Sequence, residues 1–181
     1  MNIPNFISLL RILLVPVVVI FLIQCAYLKA LIVLVVSGIT DALDGFLARI
    51  LNQQTTLGAY LDPIADKALL ASCYITLAIK GVLPGWLTVI VISRDFIIVL
   101  GVAVLSMMSI PFEIRPAFIS KVTTAIQLMT VVFALVFRIL PGAFDYQWMM
   151  FLHWLTAFFT ITSGLNYMFR RIKLNNAGIQ D

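Results

Sequence analysis

The chain has 181 residues, of which 62% are hydrophobic and only 11% charged, and its net charge is +4. Soluble domains carry about a quarter charged residues, so a mean hydropathy of +1.10 argues against a water-soluble globular enzyme and for lipid as the solvent. The basic residues form no run, which argues against nucleic acid as a partner; their excess suits membrane topology and anionic lipid or phosphate.

A membrane span needs about 20 mostly apolar residues. Six stretches meet that demand, at residues 5–24, 28–51, 57–80, 84–109, 116–140 and 146–170. Their length and lack of alternation predict helices, an all-α membrane bundle in a single domain over residues 1–181. The first stretch lacks a basic leader and is long enough to span, so it is expected to be a retained helix. Breaks fall at Asn52-Gln53-Gln54, Gly81 to Gly85, Pro111 and Pro141-Gly142. Pro84 inside Gly81-x3-Gly85 makes a turn the expectation there, rather than a helix-dimer motif. Six spans place both termini on one side. Arg11, Arg49, Arg115, Arg170, Arg171 and Lys173 fall on that side, against Lys29, Lys80 and Arg138 on the other. The positive-inside rule then makes the termini cytoplasmic. Lys67, Arg94 and Lys121 fall within spans, where a charge needs a polar cavity or a partner. Cys25 and Cys73 lack ligand spacing and read as small packers. The lone histidine, His153, reads as a packed residue, and Trp86 and Trp148 as interfacial aromatics.

Four of the eight acidic residues lie between positions 41 and 66. Asp41 and Asp44 are three apart on the second predicted helix, Asp62 and Asp66 four apart on the third, so each pair shares a helix face. A short polar loop joins the two helices. The four carboxylates are therefore expected to converge near the cytoplasmic face. Such a cluster at low dielectric calls for protons or cations. Hard oxygen donors suit Mg²⁺ or Mn²⁺ shared with phosphate, and a metal pair can polarise a phosphoryl group. Gly45 and Gly58 leave room for a phosphate or nucleotide to approach the backbone, and Arg49 can fork onto a phosphate. Intramembrane aspartates also serve cation or proton paths in transporters, so the carboxylates alone leave both readings open.

Written out, the segment is Asp41-x2-Asp44-Gly45-x2-Ala48-Arg49-x8-Gly58-x3-Asp62-x3-Asp66. It resembles the signature of the CDP-alcohol phosphatidyltransferases at every position and spacing, and the six-span layout is similar too. The resemblance implies that Asp41, Asp44, Asp62 and Asp66 hold two divalent cations, Mg²⁺ or Mn²⁺. Gly45, Arg49 and Thr55, with Gly58, would line the CDP-lipid, and Asn5 and Ser8 would lie near its cytidine diphosphate. Asp66 would be the general base toward the acceptor hydroxyl. The implied substrates are CDP-diacylglycerol and a glycerol-type alcohol, and the implied assembly is a homodimer.

The acceptor is expected from residues further along. The opening Ile3-Pro4-Asn5-Phe6-Ile7-Ser8-Leu9-Leu10-Arg11 is similar both to phosphatidylglycerophosphate synthases, which use glycerol 3-phosphate, and to CMP-forming cardiolipin synthases, which use phosphatidylglycerol. Ile92-Ser93-Arg94-Asp95 and the segment from Phe118 to Gln127 resemble the cardiolipin enzymes more. Many glycerophosphate enzymes carry a second lysine where Thr123 stands, and a dianionic monoester favours more positive charge than a diester. Phosphatidylglycerol is thus the favoured acceptor, with Arg94, Arg115 and Lys121 as candidates for its phosphate.

Overall fold

The computed structural model describes the backbone of residues 3–50, 56–107 and 118–177, and the side chains of residues 11–40, 65–100 and 119–167. Among these there are six helices and no strand: α1 (Ile3–Ile23), α2 (Tyr27–Ile50), α3 (Thr56–Ile79), α4 (Gly85–Met107), α5 (Phe118–Ile139) and α6 (Tyr146–Ala177). Each coincides with an expected apolar stretch to within a few residues at most ends. The exception is α6, which continues from the expected end at 170 to Ala177. Apolarity limits how much of a helix lies in lipid, not how far the helix runs. At about 1.5 Å per residue, 32 residues exceed a hydrocarbon core of about 30 Å.

The helix ends have local causes. At the end of α1, Ala26 donates its N–H to the Phe21 carbonyl at 2.9 Å and Cys25 donates to Leu22 at 3.1 Å. This is a Schellman closure with Cys25 in the left-handed position at φ 57°. At the end of α3 the same pair runs from Val82 to Leu77 and from Gly81 to Ala78, with Gly81 at φ 67°. The Gly81–Gly85 segment is a turn, as expected. Pro141 and Gly142, the latter at φ 88°, follow the end of α5. Pro16 sits inside α1, a residue that spanning helices tolerate because neighbours re-satisfy the backbone.

The chain divides into two compact units. The first holds Met1–Gly85 and Val131–Asp145. In it α1 packs against both α2 and α3, and Val18, Leu22, Ala30, Leu34, Leu69, Leu70, Cys73, Tyr74 and Leu77 are buried. The second holds Trp86–Thr130 and Tyr146–Asp181, and its interior is more polar. Thr123, Gln127 and Thr130 on α5 are fully buried, as are Thr156 and Thr160 on α6. Thr130 and Thr156 share a hydrogen bond of 2.6 Å, the Gln127 amide donates to Thr160 at 3.1 Å, and Thr123 donates to the Phe159 carbonyl at 3.2 Å. Helices in lipid gain nothing by burying leucine against leucine, so small residues and interhelical hydrogen bonds hold them.

The outer surface is apolar. Leu13, Ile20, Ile32, Ile39, Ile79, Val89, Phe96, Met129, Phe158 and Ile161 are all about half exposed or more. Soluble monomers rarely expose contiguous apolar patches beyond a few hundred Å². Threonines on the helices bond back to the carbonyl four residues earlier, as Thr40 does to Val36, Thr124 to Ser120 and Thr162 to Phe158. That bond satisfies a hydroxyl where no water is at hand. Among the described residues, Ile119–Ile139 and Tyr146–Tyr167 are long and apolar enough to cross a membrane, and shorter apolar stretches occupy Arg11–Ile23 and Tyr27–Thr40.

Candidate active site

The aspartate signature is carried by two helices. Asp41 and Asp44 lie in the C-terminal half of α2, Asp62 and Asp66 in the N-terminal half of α3, and α1 packs on both helices. The side chains of Asn5, Ser8, Asp41, Asp44, Gly45, Arg49, Gly58 and Asp62 lie outside the described residues, as do Thr55 and Arg115 altogether. The expected convergence of all four carboxylates lies outside them too.

Asp66 is described, and its partner was not expected. Arg11 on α1 donates from Nη1 to Asp66 Oδ1 at 2.6 Å. The arginine side chain is 4% exposed and the carboxylate 49%. An arginine inside an apolar helix must find a partner or a cavity, and a charge-assisted bond of this length is among the stronger kinds. Charge counting along the sequence assigns Arg11 to topology, because counting treats an arginine at a helix end and one turned inward alike. The available signal was its place within the first apolar stretch. The geometry ties α1 to α3 at the aspartate that the resemblance makes the base, whose carboxylate is half exposed.

Arg94 and Lys121 differ in their surroundings. Arg94 is buried on α4; its Nη1 donates to Asp95 at 2.6 Å, and its Nη2 donates to Ser120 on α5 at 2.6 Å and to Ser163 on α6 at 3.0 Å. Its Nε has no partner among the described residues. The guanidinium thus fastens three helices of the second unit. Lys121, next to Ser120, is exposed. Thr123 is fully buried, with its hydroxyl donating to Ile119 and Phe159 carbonyls, so this position belongs to the α5–α6 interface. His153 is buried, as expected of a packed residue, and its Nε2 has no partner among the described residues. Trp86, half exposed, packs against Trp154 in a tilted pair with ring centroids 5.4 Å apart.

Among the described residues no three candidate ligands gather, three of the four signature aspartates having undescribed side chains. The donor set itself fits a hard divalent cation. It consists of carboxylate oxygens without histidine or thiol, on adjacent segments of two helices, the kind of set that takes Mg²⁺ or Mn²⁺ together with phosphate oxygens.

Comparison with known proteins gives the same direction. The chain is 36% identical to a human protein named cardiolipin synthase (CMP-forming), over 92% of this chain and 60% of that one. It is 33% identical to the chloroplastic CDP-diacylglycerol–glycerol-3-phosphate 3-phosphatidyltransferase 1 of Oryza sativa, over 92% of this chain and 56% of that one. To the CDP-diacylglycerol–glycerol-3-phosphate 3-phosphatidyltransferase of Bacillus subtilis it is 29% identical, over 92% and 93%. The chain therefore spans less than two thirds of the human and rice relatives and nearly the whole of the bacterial one. The sequence profile of the CDP-alcohol phosphatidyltransferases matches residues 1–162. With that match extending over most of its length, and with the signature placed on α2 and α3, the chain belongs to the CDP-alcohol phosphatidyltransferase family.

Proposed function

We propose that this chain is a membrane enzyme that transfers the phosphatidyl group of CDP-diacylglycerol to phosphatidylglycerol, forming cardiolipin and releasing CMP. The observation that carries the reading is the aspartate signature on two helices that both pack on α1, with its last aspartate held by a buried arginine. The human relative's name supports the acceptor, as do the segments around Arg94 and Phe118. Glycerol 3-phosphate is the second reading, favoured by the bacterial relative of matching length.

Asp41, Asp44, Asp62 and Asp66 would hold two divalent cations, which when bound neutralise the diphosphate and the charge that builds on departing CMP. Asn5, Ser8, Gly45, Arg49, Thr55 and Gly58 would line the cytidine diphosphate. Asp66 accepts the proton of the acceptor hydroxyl. The hydroxyl oxygen forms a bond to the β-phosphorus as the bond from that phosphorus to the bridging oxygen breaks, and CMP leaves with the bridging oxygen. Arg11 fixes the Asp66 carboxylate during this exchange. Lys121 and Arg115 would meet the acceptor phosphate, and Arg94 would act there or through its clasp on Ser120.

The enzyme would sit in the inner or cytoplasmic membrane as a single domain of six spans. Both termini and the aspartate end would face the cytoplasm, and two copies would form the homodimer that the family resemblance implies. Arg138 supports the alternating course. It lines a cavity with the α1–α2 turn and donates to the Gly81 carbonyl beyond α3, so these helix ends meet at one end of the first unit.

Product identity tests the acceptor. Purified protein given CDP-diacylglycerol with phosphatidylglycerol and glycerol 3-phosphate in competition should yield mainly cardiolipin by mass spectrometry. A product that is mainly phosphatidylglycerophosphate would overturn the favoured acceptor and keep the class of reaction.

A further inference from the structure

The end of the first unit remote from the aspartates holds an open, shallow cavity of about 340 Å³ lined by Cys25, Ala26, Tyr27, Leu28, Lys29, Arg138 and Ile139. Along α2, Lys29 and Asp41 are separated by twelve residues, about 18 Å of helix. None of the reaction chemistry reaches this place.

Two cations border the cavity, and neither is there for an ion pair. The Lys29 ammonium stands 5.9 Å from the centre of the Phe21 ring. Arg138 spends one long N–H, at 3.4 Å, on the Gly81 carbonyl out of the five a guanidinium carries. Among the described residues no carboxylate bridges to either, and no carboxylate lines the cavity. Both side chains are exposed. Helix stability does not account for Lys29, since a cation in the first turn of a helix opposes the macrodipole. The remaining lining is of two kinds. Tyr27 brings a phenol and Cys25 a thiol, and both can hydrogen-bond. Leu28, Ala26 and Ile139 are apolar, and the chain on either side exposes Ile23 and Leu140 by about half. Cations, a hydroxyl and an adjoining apolar surface at helix ends match an anionic phosphodiester with acyl chains attached, whereas a free anion would make no use of the apolar part.

We propose that Lys29, Arg138 and Tyr27 bind the phosphodiester of an anionic glycerophospholipid in the cavity at the α1–α2 turn, a lipid site separate from the aspartate end. The site does not depend on which reaction the aspartates perform. It also gives a purpose to basic residues that the sequence assigns only to topology.

Cys25 lies in the site and is exposed, whereas Cys73 is buried, so the modification rate of Cys25 reports occupancy. The full chain in phosphatidylcholine micelles would be labelled with a charged maleimide, and a Cys25→Ser variant would supply the background. Replacing part of the phosphatidylcholine by phosphatidylglycerol should slow labelling about tenfold, the loss of access that a charge-assisted hydrogen bond to the headgroup corresponds to. Further phosphatidylcholine, or inorganic phosphate, should leave the rate unchanged. Lys29→Gln combined with Arg138→Gln should abolish the protection, and Lys29→Gln alone, which leaves the Gly81 contact intact, should weaken it several-fold. Lys80→Gln, a neighbouring cation outside the lining, should keep it. Equal protection by phosphatidylcholine or by inorganic phosphate would overturn the proposal. Protection that survives Lys29→Gln, or that is lost equally in Lys80→Gln, would do the same.

Discussion

A base that takes the acceptor proton has to be held still while substrate moves past it, and Asp66, the base proposed above, is held by Arg11 at 2.6 Å. Replacing Asp66 with Asn keeps the shape and removes the proton acceptor. Turnover should fall by about 10²–10⁴-fold, the usual contribution of a general base, while size-exclusion behaviour in detergent stays normal. Arg11→Met removes one charged partner of that carboxylate. Because that carboxylate is half exposed, water takes over part of the role, and the loss should lie near the low end of the roughly 1.5–3 kcal/mol typical of hydrogen bonds to charged groups. Thermal unfolding followed by intrinsic tryptophan fluorescence measures it. Arg11→Lys should retain most of the stability and lose more of kcat than of KM, since an ammonium keeps the charge but not the planar fork. At this scale the sequence marks the aspartates as candidates because four carboxylates in an apolar chain have few uses. Arg11 was not, because its partner lies 55 positions away and nothing local in the sequence announces the pairing.

The helices themselves were legible to within a few residues at most ends, since lipid demands long apolar runs and Gly81, Pro141 and Gly142 punctuate them. The interior of the second unit was not. Thr123, Gln127 and Thr130 recur at four and three residues along α5, and Thr156, Thr160 and Ser163 do the same along α6, yet in sequence these hydroxyls look like ordinary tolerated polar residues. A double-mutant cycle on Thr130→Val and Thr156→Val should give a coupling of about 0.6 kcal/mol, and not above about 1.7, as for other hydrogen bonds between helices in lipid. The burial of Thr123 bears on acceptor choice. Lysine there would place an ammonium in the α5–α6 interface of this chain, so Thr123→Lys should lower stability whatever it does to the acceptor. At the end of α3, an alanine at Gly81 meets no atom within 4 Å, so its cost should be the backbone term alone, about 1–2 kcal/mol for the left-handed conformation.

For the whole molecule, composition points to lipid as the solvent and the apolar surface bears that reading out, with large aliphatic and aromatic side chains outside and, in the second unit, threonines, Gln127 and Arg94 within. The proposed topology, six spans with cytoplasmic termini, would place Cys25 on the far side of the membrane. A membrane-impermeant thiol reagent should therefore label it in vesicles that present the far side and spare it in vesicles of the opposite orientation. Labelling only in the latter would reverse the topology. Chelation of divalent cations should abolish turnover, and Mg²⁺ or Mn²⁺ should restore it. The central claim is that the aspartate signature transfers a phosphatidyl group, and the most direct measurement is CMP release by the purified chain supplied with CDP-diacylglycerol, a divalent cation and phosphatidylglycerol. The account predicts release that needs all three and is lost in Asp66→Asn; no CMP with phosphatidylglycerol, glycerol 3-phosphate or any other glycerol-type acceptor, alongside cation flux in vesicles, would contradict it.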